Sequence, residues 1–264
     1  EHYFDLFNPI AENCRFPVFQ DSFRDIWVGT NDGLNIFDEK REHFLRFKHD
    51  PKDLSSISNN EIRCIYQDSE NNVWIGTSNG LNKFIFASKK FERYFYKNNN
   101  RNIINAIIQD KKGNIWLATG EDGVLKFNPS KKSFTYSYNS DNTVNPLSSN
   151  NSYSIILDNS EELWIGTRVG VNKIDLKKRK FSVIRSSPNS PYKFTSNDIS
   201  AIFSEGDLIF IGTRNNGINI FNRKYNTVEY FTLENGKISS NLIFSFYKLI
   251  NNKIIACTDK GTFV

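Results

Sequence analysis

Nine residues of this sequence have side chains suited to holding a polar ligand, and eight of them lie in short polar turns. They are Asn31, Asp32, Asn79, Glu121, Asp122, Arg168, Arg214 and Asn216 in the turns, and Tyr192 in a longer connection. Amides and carboxylates exchange hydrogen bonds with hydroxyl groups, and guanidinium groups bind carboxylate or sulfate. These residues predict ligand binding without covalent chemistry. A purely solvated role is the alternative, because turns are polar in most proteins.

Two of these turn residues, Arg168 and Arg214, occur in consecutive copies of one repeated unit. Paired guanidinium groups would clamp the carboxylate or sulfate of an acidic sugar. Tyr192 follows Pro191 in a link that also contains Pro188, and we predict either that its ring stacks on a sugar or that it packs its own loop.

Residue types for catalysis or metal binding form no recognisable pattern. The histidines are His2, His43 and His49, and the cysteines are Cys14, Cys64 and Cys257. Their spacings match neither a metal site nor a disulfide framework, and no Ser–His–Asp order or glycine-rich phosphate loop is present. Glu70 lies at the A–B turn of the second copy, and Glu161 and Glu162 lie at that of the fourth, so no glycosidase-like carboxylate pair across one site is indicated. We expect no catalytic residue, no metal and no cofactor.

The turns belong to a unit that occurs six times. In the clearest copy, Trp74-Ile75-Gly76-Thr77 is followed by the turn Ser78-Asn79-Gly80 and then by Leu81-Asn82. The copies begin at Trp27, Trp74, Trp116, Trp164, Phe210 and Ile255, which are 47, 42, 48, 46 and 45 residues apart. A period of about 45 residues built from short strands is typical of propeller blades.

Each copy predicts four strands, A to D, joined as an antiparallel meander. In the second copy they are residues 61–67, 73–77, 81–85 and 91–96, with glycine in the B–C turn. The predicted fold is all-β: a β-propeller of four-stranded antiparallel blades with six repeats. One domain, residues 1–264, would hold blades at 15–47, 60–96, 102–138, 151–185, 197–232 and 241–264 plus 3–7. Residues 3–7 would close a six-bladed ring; the alternative is a truncated seven-bladed ring.

Two recurrent residues are predicted to be structural. The tryptophan of each copy is expected to pack between blades, since a large ring beside a glycine fills such a space. An aspartate precedes the A–B turn and is expected to accept hydrogen bonds from backbone amides there.

The bulk composition narrows the functional classes. The net charge of +5 is spread over 264 residues, which does not indicate nucleic-acid binding. The sequence contains no run of 18 apolar residues, so it predicts no membrane-spanning helix.

The spacing of the repeat resembles a known family. An aspartate six residues before Trp-Ile-Gly-Thr, then Gly-Leu-Asn, occurs with Asp21, Asp68, Asp110 and Asp158, and Leu/Ile-Ser-Ser-Asn leads into several copies. This pattern is similar to the two-component regulator propeller repeat and covers essentially the whole chain. It weakens in the last two copies, where Ser204 and Leu249 replace the aspartate.

The resemblance implies a periplasmic or extracytoplasmic sensor region of a hybrid two-component histidine kinase, anchored in the inner membrane. Members of that family respond to oligosaccharides. It also implies further propeller and immunoglobulin-like domains in the same chain and a homodimer, with any kinase activity outside this segment.

Three functional hypotheses follow. The first is a sensor propeller that binds an oligosaccharide, acidic if the arginines act together, on the face built from B–C turns and D–A links. The second is a non-catalytic interaction or spacer propeller. The third is a propeller-fold enzyme of the lyase or glycosidase type.

Overall fold

The computed structural model describes residues 17–38, 43–98, 101–141, 146–178, 180–188, 190–249 and 252–264. Within these ranges the chain forms 23 β-strands and no helix. The strands make six antiparallel sheets, each ordered as in the sequence. The first strand of each sheet contacts the first strand of the next, so these strands line a common axis. The predicted β-propeller with six blades is confirmed.

The blades follow one another along the chain. Blade 1 has β1 Val18–Gln20, β2 Ile26–Thr30, β3 Gly33–Asp38 and β4 His43–Phe47. Blade 2 has β5 Ile62–Gln67, β6 Val73–Thr77, β7 Gly80–Ile85 and β8 Lys90–Tyr94. Blade 3 has β9 Ile104–Gln109, β10 Ile115–Thr119, β11 Val124–Asn128 and β12 Ser133–Tyr138. Blade 4 has β13 Ser152–Leu157, β14 Glu162–Thr167, β15 Gly170–Asp175 and β16 Lys180–Ile184. Blade 5 has β17 Ile199–Glu205, β18 Leu208–Thr213, β19 Ile218–Asn222 and β20 Thr227–Phe231. Blade 6 has β21 Ile243–Lys248, β22 Ile254–Thr258 and β23 Gly261–Phe263.

The fourth strand predicted for blade 6, residues 3–7, lies outside the described residues. Its role in ring closure stays a prediction, as does the assignment of residues 1–264 to one domain.

The hydrophobic core is divided into clusters that each join neighbouring blades. Trp27 of blade 1 is fully buried in a cluster with Val73, Ile75 and Phe84 of blade 2. The rings of Trp27 and Phe84 meet edge to face with centroids 5.1 Å apart. Because the cluster needs both blades, the free energy of burial holds successive blades together. The predicted packing role of the tryptophans is confirmed.

The glycine after each tryptophan allows the next blade to approach closely. A Cβ on Gly76 would lie 2.7 Å from Cγ2 of Ile104 in the next blade and would also meet Sγ of Cys64. Blade 3 has Ala118 at this position, and the corresponding residue of the next blade is Ser152, where other blades have isoleucine. A larger residue on one side is thus matched by a smaller one on the other.

Candidate functional site

The B–C turns and D–A links form one surface, here called the loop face. The N–H of Gly80 in the turn of blade 2 donates to Asn102 O, at the end of the following link, over 2.7 Å. The same bond joins Gly33 to Asn60, Gly123 to Asn150, Gly170 to Asn197 and Gly217 to Asn241. The prediction that turns and links lie on the same side of the propeller is therefore confirmed.

The turns themselves are held by the threonine that ends each second strand. Thr77 Oγ1 donates to Gly80 O over 3.0 Å and accepts from the N–H of Asn79 over 3.1 Å. Gly80 has φ +116°, a conformation that favours glycine. The threonine bond to the turn recurs in all six blades. The loop face is therefore a rigid platform.

The asparagine of Gly-Leu-Asn and the serine of Ser-Ser-Asn bind each other. Asn82, fully buried, accepts from the N–H of Ser58 and donates to Ser58 Oγ, both over 2.8 Å. Asn172 and Ser148 repeat this pair, and Asn219 makes the same bonds with Thr195. These recurrent polar residues are structural, because their hydrogen-bonding groups are used inside the fold.

The recurrent aspartates act at the opposite face. Asp68 Oδ1 accepts from the backbone N–H groups of Glu70 and Asn72, each over 2.9 Å, as predicted. Its Oδ2 accepts from Nε1 of Trp74 over 2.8 Å. The same indole bond occurs at Asp21, Asp110 and Asp158. The indole partner was not predicted, although the constant interval of six residues was visible.

One of these carboxylates gives a prediction for the dependence of stability on pH. Burial alone would raise the pKa of Asp110, but hydrogen bonds from Trp116 and Asn114 outweigh it and hold the pKa below its ordinary value. A carboxyl with a lowered folded-state pKa stabilises the fold above its unfolded pKa of about 4. That contribution is lost as the pH falls through the folded-state pKa.

We therefore expect the urea midpoint of the protein to fall as the pH is lowered below about 4, and to fall less steeply in Asp110→Asn. The measurement is urea unfolding followed by tryptophan fluorescence from pH 7 to pH 2.5. Parallel losses in the two proteins would show that Asp110 does not contribute to the acid sensitivity.

The predicted acidic site residues of blades 1 to 3 are all engaged by cations of the same face. Asp32 pairs with Lys48 at 2.6 Å, Glu121 with Arg101 at 3.1 Å, and Asp122 with Lys97 at 2.5 Å. Asn79 Oδ1 accepts from Asn102 Nδ2 over 3.1 Å. These side chains are therefore turned partly toward the links between blades 1 and 2 and between blades 2 and 3.

The other predicted site residues occupy different environments. Asn31 and Asn216 are exposed in their turns. Tyr192 is half-buried, with its ring 6.4 Å from Phe194 and 5.2 Å from Phe221. Tyr192 thus packs its own link against blade 5, which is the second of the two roles that the sequence predicted for it.

Arg168 and Arg214 occupy equivalent places on adjacent blades. Their backbone N–H groups donate to Asn151 O and Asp198 O over 3.2 and 3.1 Å. Arg168 is exposed. The Arg214 guanidinium carbon lies 3.9 Å from the ring centroid of Tyr153, and its Nε lies 3.2 Å from Asp198 Oδ1.

Sequence reasoning missed a set of inner-strand residues at the mouth of the axis. A β-bulge shifts the pairing register of each inner strand from blade 2 onward at one residue. These residues are Arg63, Asn105, Tyr153, Ser200 and Phe244. A β-bulge changes the direction in which side chains point, and bulges are common beside functional sites. These residues, called the bulge set, differ in type between blades, which was the one visible signal.

Side chains of the bulge set reach toward the next blade. Arg63 Nη1 donates to Asn105 Oδ1 over 3.2 Å, and Asn105 Nδ2 donates to Ser152 O over 2.8 Å. Ser200 Oγ donates to Ile243 O over 2.5 Å. A ligand at the axis would therefore touch groups that join neighbouring blades.

Metal-binding chemistry finds no support in the part of the chain that the structure describes. No group of three His, Cys, Asp or Glu side chains there could hold a metal ion. Nδ1 of His49 lies 2.8 Å from Ile57 O. Burial raises the pKa of the Cys64 thiol to about 12, so the thiol is protonated at neutral pH.

Three segments of the chain match a known family of repeats. Residues 56–79, 98–121 and 146–168 match the model of the two component regulator propeller. Each segment runs from the end of a link through strands A and B into the B–C turn. Three of the six repeats therefore match the repeat of that family. In these repeats the Ser-Ser-Asn lead-in, the Asp–Trp pair and the turn threonine are the structural residues described above.

Solved structures with similar propellers include sensor regions. The extracellular domain of the hybrid two component system BT3049 from B. thetaiotaomicron is 25% identical, with a TM-score of 0.73, over 91% of this chain and 32% of that one. The extracellular domain of BT4673 from the same organism is 21% identical, with a TM-score of 0.60, over 93% and 38%. This chain thus spans about a third of the length of those chains.

More distant structures share the fold alone. Virginiamycin B lyase from Staphylococcus aureus is 12% identical with a TM-score of 0.69, over 93% of this chain and 78% of that one. No curated protein matches the chain. The described residues include no helix that is long and apolar enough to cross a membrane.

Proposed function

We propose that this chain is the ligand-sensing propeller of a two-component sensor, which binds an oligosaccharide on its loop face and signals to a membrane-linked histidine kinase. The observation that carries the proposal is the 25% identity, over 91% of the chain, to the extracellular domain of a hybrid two component system. The propeller would act outside the cytoplasmic membrane. The rest of the protein would supply further propeller and immunoglobulin-like domains and the dimer contacts.

The loop face has the chemistry that sugar recognition needs. Amide groups of Asn31 and Asn216 are exposed beside the turns, and the half-buried ring of Tyr153 lies nearer the axis. Amides bind hydroxyl groups, and aromatic faces pack on the apolar faces of sugar rings. A rigid sheet scaffold positions such groups with little loss of conformational entropy on binding.

The loop face also offers a route from binding to signalling. The Gly–Asn bonds between turns and links cross every boundary from blade 1 to blade 6. A ligand held on this rigid face would favour one placement of the whole propeller relative to the adjoining propellers or protomers. Such a ligand shifts the equilibrium only by binding one arrangement more tightly.

The test is isothermal titration of the intact extracellular region with a panel of neutral and acidic oligosaccharides. We expect saturable binding of at least one member and weaker binding in Asn31→Ala or Asn216→Ala. Lys178→Gln is the control, since Lys178 is exposed in the C–D turn of blade 4, away from the loop face. Absence of binding across the panel would contradict the proposal, and cleavage of the bound sugar would favour the enzyme hypothesis.

A further inference from the structure

The loop face is not uniform in charge. In blades 1 to 3 each predicted carboxylate of the turns has a cationic partner. Blades 4 and 5 instead present Arg168 and Arg214 in their turns and Arg185 at the start of the link between them. Within the described residues, the side chains of Arg168 and Arg185 are exposed and make no ion pair. Asp198, which pairs with Arg214, lies at the end of the link before blade 5, where blade 4 has Asn151.

Two contacts, a ring stacking and an ion pair without hydrogen-bond geometry, position the guanidinium of Arg214. It stacks on the ring of Tyr153, with the carbon 3.9 Å from the centroid, and Asp198 Oδ1 lies 3.2 Å from Nε. Tyr153 belongs to the bulge set, and its ring meets an arginine of the next blade because the bulge shifts the pairing register at Tyr153. The two terminal nitrogens of Arg214 make no hydrogen bond with any described residue. Protein contacts thus orient the two terminal nitrogens, which form a planar pair of donors, and both nitrogens are available to hydrogen-bond a ligand.

We propose that the mouth between blades 4 and 5 binds a carboxylate or sulfate group of the ligand. Arg214 supplies two parallel N–H donors, and Arg168 of the adjacent turn supplies a second positive charge. Tyr153 is a positioning residue that keeps the guanidinium plane in place. This inference rests on the proposed function, because the anionic group would be a substituent of the bound oligosaccharide.

Both the geometry and the local charge favour an anion. Guanidinium groups match carboxylate and sulfate oxygens with two bonds, and such charge-assisted bonds are about twice as strong as neutral ones. Prior orientation lowers the entropy lost when those bonds form. Lysine offers a point charge without the planar pair, so it would not replace Arg214.

The experiment compares two ligands that have the same sugar backbone and differ in the charge of their carboxyl groups and in the methyl groups of the ester. Trigalacturonate and its fully methyl-esterified form are titrated into the intact extracellular region at constant ionic strength, with a sulfated disaccharide as a third probe. We expect the free acid or the sulfated probe to bind about tenfold more tightly than the ester. Arg214→Gln and Arg214→Lys should remove most of that preference, and Lys178→Gln should preserve it.

Tyr153 has its own test. Tyr153→Leu should weaken binding of the acidic probe several-fold. Tyr153→Phe should bind the probe about as tightly as the wild type, because it keeps the ring face. The side-chain nitrogen resonances of Arg214 should shift in the wild type on titration with inorganic sulfate. In Tyr153→Leu they should shift less.

The possible outcomes separate the two proposals. Equal affinity for acid and ester, unchanged in Arg214→Gln, would overturn the anion site and leave oligosaccharide sensing intact. A saturable response of Arg214 to sulfate without binding of any saccharide would support the anion site and contradict the sugar. No response to either would overturn both. Preference for the sulfated probe over trigalacturonate would assign the group as a sulfate ester.

Discussion

Replacing Asp110 by serine is expected to destabilise the propeller by about 2–4 kcal/mol, because several buried donors lose a charged acceptor. These donors are the indole N–H of Trp116, at 2.9 Å, and the backbone and side chain of Asn114. Trp116→Phe should cost about 1–3 kcal/mol, through the lost bond and the smaller ring. The double variant should cost about 1–2 kcal/mol less than the sum, since the two residues share one interaction.

The measurement is a double-mutant cycle from urea unfolding at pH 7. Asp110→Ser combined with Trp164→Phe is the matched control, because Trp164 binds Asp158 of another blade and the two changes should be additive. Additive costs for Asp110 and Trp116 would show that the indole bond contributes nothing. Blade 5 supports the coupling: Ser204 and Phe210 replace both members of the pair there.

Gly76→Ala is the second large effect, with an expected loss of about 1–3 kcal/mol. The added methyl would overlap Ile104 of β9 in the next blade and Cys64 of β5 in the same blade, so β6 must move away from both strands. The measurement is thermal or urea unfolding of the purified variant. We also expect a smaller denaturant slope if the seam opens in the folded state.

The natural Ala118 gives the control for this change. Ala118→Gly removes a methyl group at the same position of blade 3. The corresponding residue of the next blade there is the small Ser152. We expect it to cost about 1 kcal/mol, from the lost methyl and the flexibility of glycine. If Gly76→Ala were neutral while Ala118→Gly was costly, close packing at the seam would not be the reason for the glycine.

Much of the fold could be predicted because its determinants are local. The alternation of apolar residues, the Gly80 turn and the repeat period depend on neighbouring residues, and the strands of the second repeat were placed to within two residues of the observed ones. The constant interval between aspartate and tryptophan was equally visible in the sequence, but the hydrogen bond between the two side chains was not predicted. Asp68 and Trp74 lie on either side of a turn, and only the folded strands bring the indole N–H to the carboxylate.

The candidate site was predicted less completely. The polar turns were identified, because turn composition and position follow from the repeat. That Asp32, Glu121 and Asp122 are engaged by lysine or arginine depends on side chains of the links, whose course is not periodic. The position of Tyr192 against Phe221 depends in the same way on how one link crosses to the next blade.

The sequence by itself determined the blades, their order and the face on which the turns lie, because these follow from short-range periodicity and from the antiparallel meander. Only the tertiary structure decided that Tyr153 stands beneath Arg214. That contact needs a one-residue bulge in one blade and a turn in the next, and neither leaves a periodic signal. Local pattern sets the strands, whereas the side chains that meet across a blade boundary are set by register and packing.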